Sequence, residues 1–244
     1  MINTIFFTFE EWSWVAGIAS VGITVIGGLI SLAKKIRQSD TRAMVRAFHG
    51  VRIGASQRSL QRLKLKQIAR DGEGAVKMTK WLLPEGNDLS VTYNSELDRI
   101  VYMEVDWCRK SSAKSTDLKN FRFGETSLAD IRKFYKCNGF AYANRVVHEE
   151  QDEIVLFNAF ELKSTPNIIT VFITSISKAE HEVIRRSKQS DNIAVSCKLV
   201  AIAIADEEYL DKIWGAAKIY DPTSHAIELP LRNNLASWLT GGSR

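Results

Sequence analysis

Charged residues are missing from one long stretch near the start of this 244-residue chain. Between Glu11 and Lys34 there is no Asp, Glu, Lys or Arg, so the uncharged run covers residues 12–33. A helix of this length reaches about 33 Å, and the hydrocarbon core of a bilayer is about 30 Å thick. The absence of charge therefore predicts a transmembrane helix over residues 12–33, with a buried core helix as the alternative.

Basic residues are also missing from the N-terminal tail, residues 1–11, whose charges are Glu10 and Glu11. The missing basic n-region argues against a cleaved signal peptide. The other flank of the run is basic, with Lys34, Lys35, Arg37, Arg42, Arg46 and Arg52 against Asp40. Because Lys and Arg beside a span stay on the cytoplasmic side, we predict a single-pass protein of a bacterial inner membrane with an external N-terminus and a cytoplasmic domain.

Cysteine is scarce, and the three present are Cys108, Cys137 and Cys197. They are odd in number and form no CxxC pair. Reduced, mostly buried thiols of this kind fit a cytoplasmic domain.

Catalytic and metal-binding motifs are missing as well. No His lies at metal-ligand spacing from a second His or a Cys, and no Walker loop, GxGxxG, GxSxG or kinase signature is present. The ligand-rich stretch from His148 to Asp152 falls where a turn between two strands is expected. We therefore predict a protein that is not an enzyme and needs no cofactor or metal. A triad assembled by the fold from distant residues stays open as an alternative.

Small residues recur at every fourth position of the predicted span: Ala16, Ser20, Thr24 and Gly28. On a helix they form one stripe, which lets a second backbone approach closely. The stripe predicts self-association or a membrane partner. The alternative is the general richness of membrane helices in Gly and Ala.

The excess of positive charge is confined to residues 34–80, which contain 13 Lys and Arg against 3 Asp and Glu. Near an anionic leaflet each such residue contributes on the order of 1 kcal/mol, so this region predicts contact with an anionic lipid surface. The candidate residues are Lys34, Lys35, Arg37, Arg58, Arg62 and Lys66. Nucleic acid is a weaker alternative because interleaved exposed aromatic residues are lacking. The other alternative is that these cations lie on helix faces that contact only solvent.

The order of patterns predicts a basic juxtamembrane helix over 34–50 and a soluble domain over 51–244. In the first part of this domain we expect a helix from Ser56 to Arg70 that Asp71-Gly72 closes. Alternating residues then predict three strands, Ala75–Leu83, Leu89–Tyr93 and Arg99–Trp107. The polar stretch from Cys108 to Asn120 is interpreted as an exposed connector.

A similar order follows. Phe121-Arg122-Phe123-Gly124 echoes Val51-Arg52-Ile53-Gly54, and a helix is expected from Ser127 to Cys137. Three strands are expected after it, Phe140–Val147, Glu153–Leu162 and Ile168–Ile176, so possible repeats cover 51–107 and 121–176. Beyond them the sequence predicts a charged helix or loop, a buried strand Ile193–Ala205, a helix capped by Asp206, a turn at Asp221-Pro222 and a last helix over 231–239. The fold class is therefore α+β: a transmembrane helix, an antiparallel-sheet domain of two helix-plus-three-strand units, and C-terminal helices.

The tandem units, with the motif Phe123-Gly124-Glu125-Thr126-Ser127-Leu128, resemble the repeats of SmpA/OmlA and BLIP-like proteins over about residues 51–176. The resemblance implies a shared architecture. Those families are exported binding modules, whereas the charge rule places this domain inside. An exported envelope binding module is therefore one alternative for this chain.

Together these patterns predict a membrane-tethered, non-catalytic binding or regulatory module that contacts a protein partner, of the immunity, exclusion, defence or secretion-assembly type. Exposed aromatic residues are the candidate contacts. They are Trp81, Trp107 and Trp238, each of which also fits a core position. A membrane-anchored sensor or effector for a small ligand is the alternative, and a cavity among the strands would favour it.

Overall fold

Residues 47–228 are described by the structure, a computed structural model, except for residues 73, 110–112, 115, 117, 119 and 162–165. The strands are β1 (Ala47–Phe48), β2 (Val51–Arg52), β3 (Lys66–Asp71), β4 (Val76–Leu82), β5 (Asp88–Asn94), β6 (Arg99–Asp106), β7 (Ala141–Tyr142), β8 (Val147–Glu149), β9 (Glu153–Glu161), β10 (Ile168–Ser177), β11 (Lys198–Asp206) and β12 (Lys218–Ile219). The helices are α1 (Arg58–Gln61), α2 (Leu128–Tyr135), α3 (Lys178–Ser187), α4 (Ser190–Ser196), α5 (Glu207–Trp214) and α6 (Pro222–Glu228).

Eight of the strands form one sheet, in the order β3-β4-β5-β6-β11-β10-β9-β8. Every neighbouring pair in it is antiparallel. Strands β3 to β6 form one meander and strands β8 to β11 the other. The two meanders join where β6 pairs with β11, with Glu104 opposite Ala203. The described residues are thus α+β with a mostly antiparallel sheet, as the alternating patterns predict.

The sheet has two faces because successive side chains of a strand point to opposite sides. One side, named the helix face here, carries Met103 of β6, Phe172 of β10 and Ile202 of β11, which pack with Ile131 of α2. Each of these side chains is buried, and burial of one contributes about 1.5–3 kcal/mol.

The opposite side, named the cleft face, carries smaller residues of β11. Ala201, Ala203 and Ala205 pack there with Val171 of β10 and with Leu210 of α5. Tyr102 and Trp214 pack against the same cluster. Helices α2 and α5 therefore cover opposite faces of the sheet.

The two similar quartets bind to corresponding strands. The Gly54 N–H donates to the carbonyl oxygen of Ile100 at 2.8 Å, and the Gly124 N–H donates to that of Leu199 at 2.8 Å. Both acceptors lie at the start of a central strand, β6 or β11. Both glycines have positive φ, +81° and +69°. At Gly124 a Cβ atom would lie 2.6 Å from the Trp107 ring, so only glycine fits there without a shift.

The predicted helix Ser56–Arg70 is wrong over most of its length. Only α1 is helical, and Lys64 adopts a left-handed conformation at φ 51° before β3 begins. Leu60 is buried and Leu63 packs against the same core, whereas Ile68 on β3 is 44 % exposed. The free edge of β4 instead provides backbone hydrogen-bond partners for β3, and tertiary pairing overrides the weak helical pattern.

Three other predicted elements differ. The strand Ile193–Ala205 divides into the end of α4 and β11, because a continuous apolar run does not distinguish a buried helix from a strand. The strand Phe140–Val147 is interrupted by a turn, in which the Arg145 N–H donates to the Tyr142 carbonyl at 2.8 Å. The turn predicted at Asp221-Pro222 is the start of α6, where proline is tolerated.

The helix predicted after Ser127 is present as α2. Ser127 caps it: the side chain accepts from the Asp130 backbone N–H, and the Asp130 side chain accepts from the Ser127 N–H. This capping box satisfies two backbone donors at the helix start and lowers the pKa of Asp130. The strands predicted around β4, β5 and β6 agree with the observed ones to within one or two residues.

The span over residues 12–33, the juxtamembrane helix up to residue 46 and the last helix over 231–239 lie outside the described residues. Within residues 47–228, as far as they are described, no helix is both long and apolar enough to span a bilayer. The described residues belong to one unit, Met44–Arg244.

Candidate functional site

The predicted site residues fall into three groups. The packing stripe of Ala16, Ser20, Thr24 and Gly28, the flank of Lys34, Lys35 and Arg37, and Trp238 lie outside the described residues. Trp81 is partly buried against the helix-face core, and its indole N–H donates to the Thr79 hydroxyl at 3.1 Å. Trp107 is also partly buried and packs over Gly124. The third group, Arg58, Arg62 and Lys66, lies on the surface.

These three residues belong to an exposed basic surface at the first edge of the sheet. We name it the basic edge and define it as Arg58, Arg62, Lys64, Lys66 and Arg70, all of which are exposed. None of the five forms an ion pair with another described residue. As far as the described residues show, these cations are available for an anionic partner.

Apolar side chains lie beside the basic edge. Lys66 of β3 pairs with Leu82 of β4, and Asp71 pairs with Met78. Leu82 is 38 % exposed and Met78 40 % exposed. Leu82 therefore lies beside a cation of the basic edge, whereas Met78 lies beside the acidic Asp71.

A second candidate site is a cleft of about 280 Å³ on the cleft face. Its floor includes Ala201 of β11, whose short side chain leaves space between the strands on either side. One wall is polar and formed by Tyr102, Glu104 and Asp106 of β6, whereas the other is apolar and formed by Val155, Phe157 and Ile173 of β9 and β10. Other lining residues are Trp107, Arg109, Arg145, His148, Glu150, Glu153, Val200 and Trp214.

The polar wall is a chain of hydrogen-bonded groups. The Tyr102 hydroxyl donates to Glu104, and Asp106 lies beside Glu104 two residues further along β6. Burial raises the pKa of Glu104 to about 8, and the neighbouring Asp106 adds to the rise because two close carboxylates do not both ionise readily. Burial, together with Glu104, also raises the pKa of Tyr102. Glu104 therefore retains its proton at neutral pH.

Arg145 stands over the apolar wall. Its guanidinium carbon lies 4.4 Å from the centroid of the Phe157 ring and 6.0 Å from that of Trp214. Such contacts of a cation with an aromatic face are favourable by about 0.5–2 kcal/mol. The Nε atom of Arg145 is buried and has no hydrogen-bond partner among the described residues.

Several charged groups at the rim, in contrast, form ion pairs. Arg109 donates to both carboxylate oxygens of Glu153, which lowers the pKa of Glu153. Lys80 lies 3.0 Å from Asp88 and 4.0 Å from Asp106. Arg145 and Glu104 thus differ from these paired groups, because no ion pair within 4.0 Å joins them to each other or to another described residue.

The cysteines are free, and they differ in exposure. Cys197 is buried, Cys108 is intermediate and Cys137 is exposed. The prediction of mostly buried thiols therefore holds fully for Cys197 alone. Burial raises the pKa of Cys197 to about 12, so its thiol is unreactive at neutral pH. Among the described residues there is no group of three His, Cys, Asp or Glu side chains that could hold a metal ion.

Sequence reasoning missed the cleft. The signals were Tyr102, Glu104 and Asp106 alternating with apolar residues on β6, and alanines at alternate positions of β11. Polar residues at the centre of a sheet depart from the usual burial of apolar side chains there, and departures of this kind are expected at binding sites. The pairing of β6 with β11, which brings the two patterns together, could not be read from either strand alone.

No family model and no curated protein matches the chain. Among solved structures, the chain is similar to an extracellular protein containing a SCP domain from Bacillus anthracis str. Ames, with a TM-score of 0.37 and 9 % identity. The match covers 65 % of this chain and 45 % of that one, so it spans less than half of the other protein. A likeness of this size carries no argument on fold or function.

Proposed function

We propose that the chain is a single-pass protein of a bacterial inner membrane, held by residues 12–33, with a non-catalytic binding or regulatory domain in the cytoplasm. Its partner is a protein at the membrane, as in immunity, exclusion, defence or secretion assembly. The stripe Ala16, Ser20, Thr24 and Gly28 brings copies together. The proposed domain has two helix-plus-three-strand units and C-terminal helices, and the corresponding hydrogen bonds of Gly54 and Gly124 support a division into two units.

The basic edge is the observation that supports this proposal. Its five exposed cations have no ion-pair partner among the described residues, and exposed Leu82 lies beside Lys66. In the sequence Arg58 follows the proposed span by only 25 residues. An anionic leaflet would attract these cations, and aliphatic side chains can enter its headgroup region.

Amide hydrogen exchange of the full chain in nanodiscs tests this contact. We expect the amides of β3, Lys66–Asp71, to exchange more slowly in nanodiscs that contain phosphatidylglycerol than in neutral ones. The difference should decrease with salt, since exposed charges act within about 8 Å at physiological ionic strength. The triple variant Arg58→Glu, Arg62→Glu, Lys66→Glu should lose the difference.

A matched triple variant controls for the change in net charge. Lys133, Lys188 and Lys212 are exposed cations on other elements, and their replacement by Glu should leave the slower exchange intact. Equal exchange of β3 in neutral and anionic nanodiscs, or loss of the difference in the control as well, would refute lipid contact by the basic edge.

A second candidate function is a membrane-anchored sensor or effector for a small ligand. The cleft supports it, because a cavity among the strands is the feature that this function needs. Its mixed lining, an apolar wall with a few polar groups, is typical of small-molecule sites.

A further inference from the structure

The chemistry of the cleft selects among small ligands, an inference that rests on the second candidate function. About 280 Å³ lies at the lower limit of ordinary ligand pockets, so the ligand is smaller than a drug-sized molecule. The apolar wall of Val155, Phe157 and Ile173 requires that part of it be apolar.

The cation Arg145 and the carboxyl group of Glu104 require the rest of the ligand to be polar at two points. Arg145 is a cation whose buried Nε has no acceptor among the described residues. Glu104 accepts a hydrogen bond from Tyr102 on the polar wall, and Arg145 acts on it electrostatically without forming an ion pair. Arg145 lines the cleft and forms no ion pair with a described residue, so its guanidinium can pair with a ligand carboxylate.

Arg145 and Glu104 interact electrostatically, but they are not in direct contact as an ion pair. Among the described residues no ion pair within 4.0 Å joins Arg145 to Glu104, although both line the same cleft. A ligand that carries an ammonium and a carboxylate on the same carbon atom can contact Arg145 and Glu104 at once. It would pair its carboxylate with Arg145 and its ammonium with Glu104 and Asp106, and the Glu104 proton would leave to solvent.

We propose that the cleft binds a free α-amino acid with an apolar side chain, held by Arg145 at its carboxylate, by Glu104 and Asp106 at its ammonium, and by the apolar wall at its side chain. Each part of the ligand then contacts lining groups of matching chemistry. Arg145 and Glu104 act here as binding residues, and no bond is made or broken.

Calorimetry on the full chain in neutral nanodiscs tests the proposal, with L-phenylalanine and L-leucine as probes. We expect saturable binding of one molecule per chain. Phenethylamine lacks the carboxylate and 3-phenylpropionate lacks the ammonium, so each should bind at least about tenfold more weakly, the loss expected for one unpaired polar contact. The proposal would be overturned if either analogue bound as tightly as L-phenylalanine. It would also be overturned if neither L-phenylalanine nor L-leucine showed saturable binding.

Variants locate the site. Arg145→Gln and Glu104→Gln should each weaken L-phenylalanine binding at least about tenfold, and Ala201→Leu should abolish it by filling the floor while keeping every charge. Arg122→Gln and Glu125→Gln remove charges from an exposed ion pair outside the cleft and should leave the affinity unchanged. Unchanged affinity in Ala201→Leu would place binding elsewhere and refute the assignment.

The outcome is separable from that of the membrane proposal. Neutral nanodiscs remove the anionic lipid, so amino acid binding does not depend on the basic edge. The analogue comparison uses the unmodified chain, so a variant that fails to fold does not affect it. Loss of lipid contact with retained L-phenylalanine binding would refute the first proposal alone, and the reverse would refute the ligand assignment alone.

Discussion

At the scale of the residue, Glu104 makes the stability of the domain depend on pH. Its pKa is about 8 in the folded protein against an ordinary value of 4.5, because it is buried beside Asp106. The folded state thus holds a proton that the unfolded state releases. This favours folding below pH 4.5, and the benefit is lost as pH rises through about 8.

We expect Glu104→Gln to remove this loss. At pH 8 the free energy of unfolding of the variant should exceed that of the original protein by about 2 kcal/mol. This is less than the full pKa shift would give, because Glu104 keeps some contact with water. Near pH 4.5 the two should be close. Urea unfolding in detergent micelles, followed by tryptophan fluorescence, measures the free energy of unfolding of both proteins at each pH. Parallel stability curves across this range would contradict the prediction. The neighbouring groups whose charges could offset the effect of Glu104 on stability are Tyr102, Asp106, Lys80 and Arg145.

At the scale of the element, the two quartet glycines offer a matched pair of substitutions. Both have positive φ, so alanine at either position costs about 1–2 kcal/mol for the left-handed backbone. At Gly54 the added Cβ would meet no atom within 4 Å, whereas at Gly124 it would lie 2.6 Å from the Trp107 ring. Gly124→Ala should therefore be less stable than Gly54→Ala by a further 1–3 kcal/mol or so, measured as a lower urea midpoint. Equal losses would mean that the Trp107 ring moves aside freely.

Much of the element order could be predicted where local and tertiary preferences agree. The clean alternation of β6 and the capping box of α2 are local signals, and both elements are present. Strand β3 carries a helical pattern and is held by pairing with β4, so no local signal identifies it. The candidate site divides in the same way. The cations of the basic edge could be counted in the sequence, whereas the cleft depends on strands that lie about a hundred residues apart.

At the scale of the whole molecule, the exposed native thiol of Cys137 can report the membrane topology without an introduced cysteine. If the domain is cytoplasmic, a membrane-impermeant maleimide should label Cys137 only after the cells are lysed. An Asn3→Cys variant with Cys108 and Cys137 replaced by Ser should be labelled in intact cells, because the tail is proposed to lie outside. Labelling of Cys137 in intact cells would reverse the topology and favour the exported alternative.

The seam between β6 and β11 also governs the order in which the domain assembles. Within each meander the paired strands are neighbours in sequence, but Glu104 and Ala203 meet only after about a hundred residues of chain have been brought together. Closing so long a loop is slow relative to forming hairpins, so we expect the seam to be among the last contacts to form. The cleft lies across this seam. Occupancy of the cleft is thus a property of the finished fold alone, and a newly made chain gains it only when its two meanders have met.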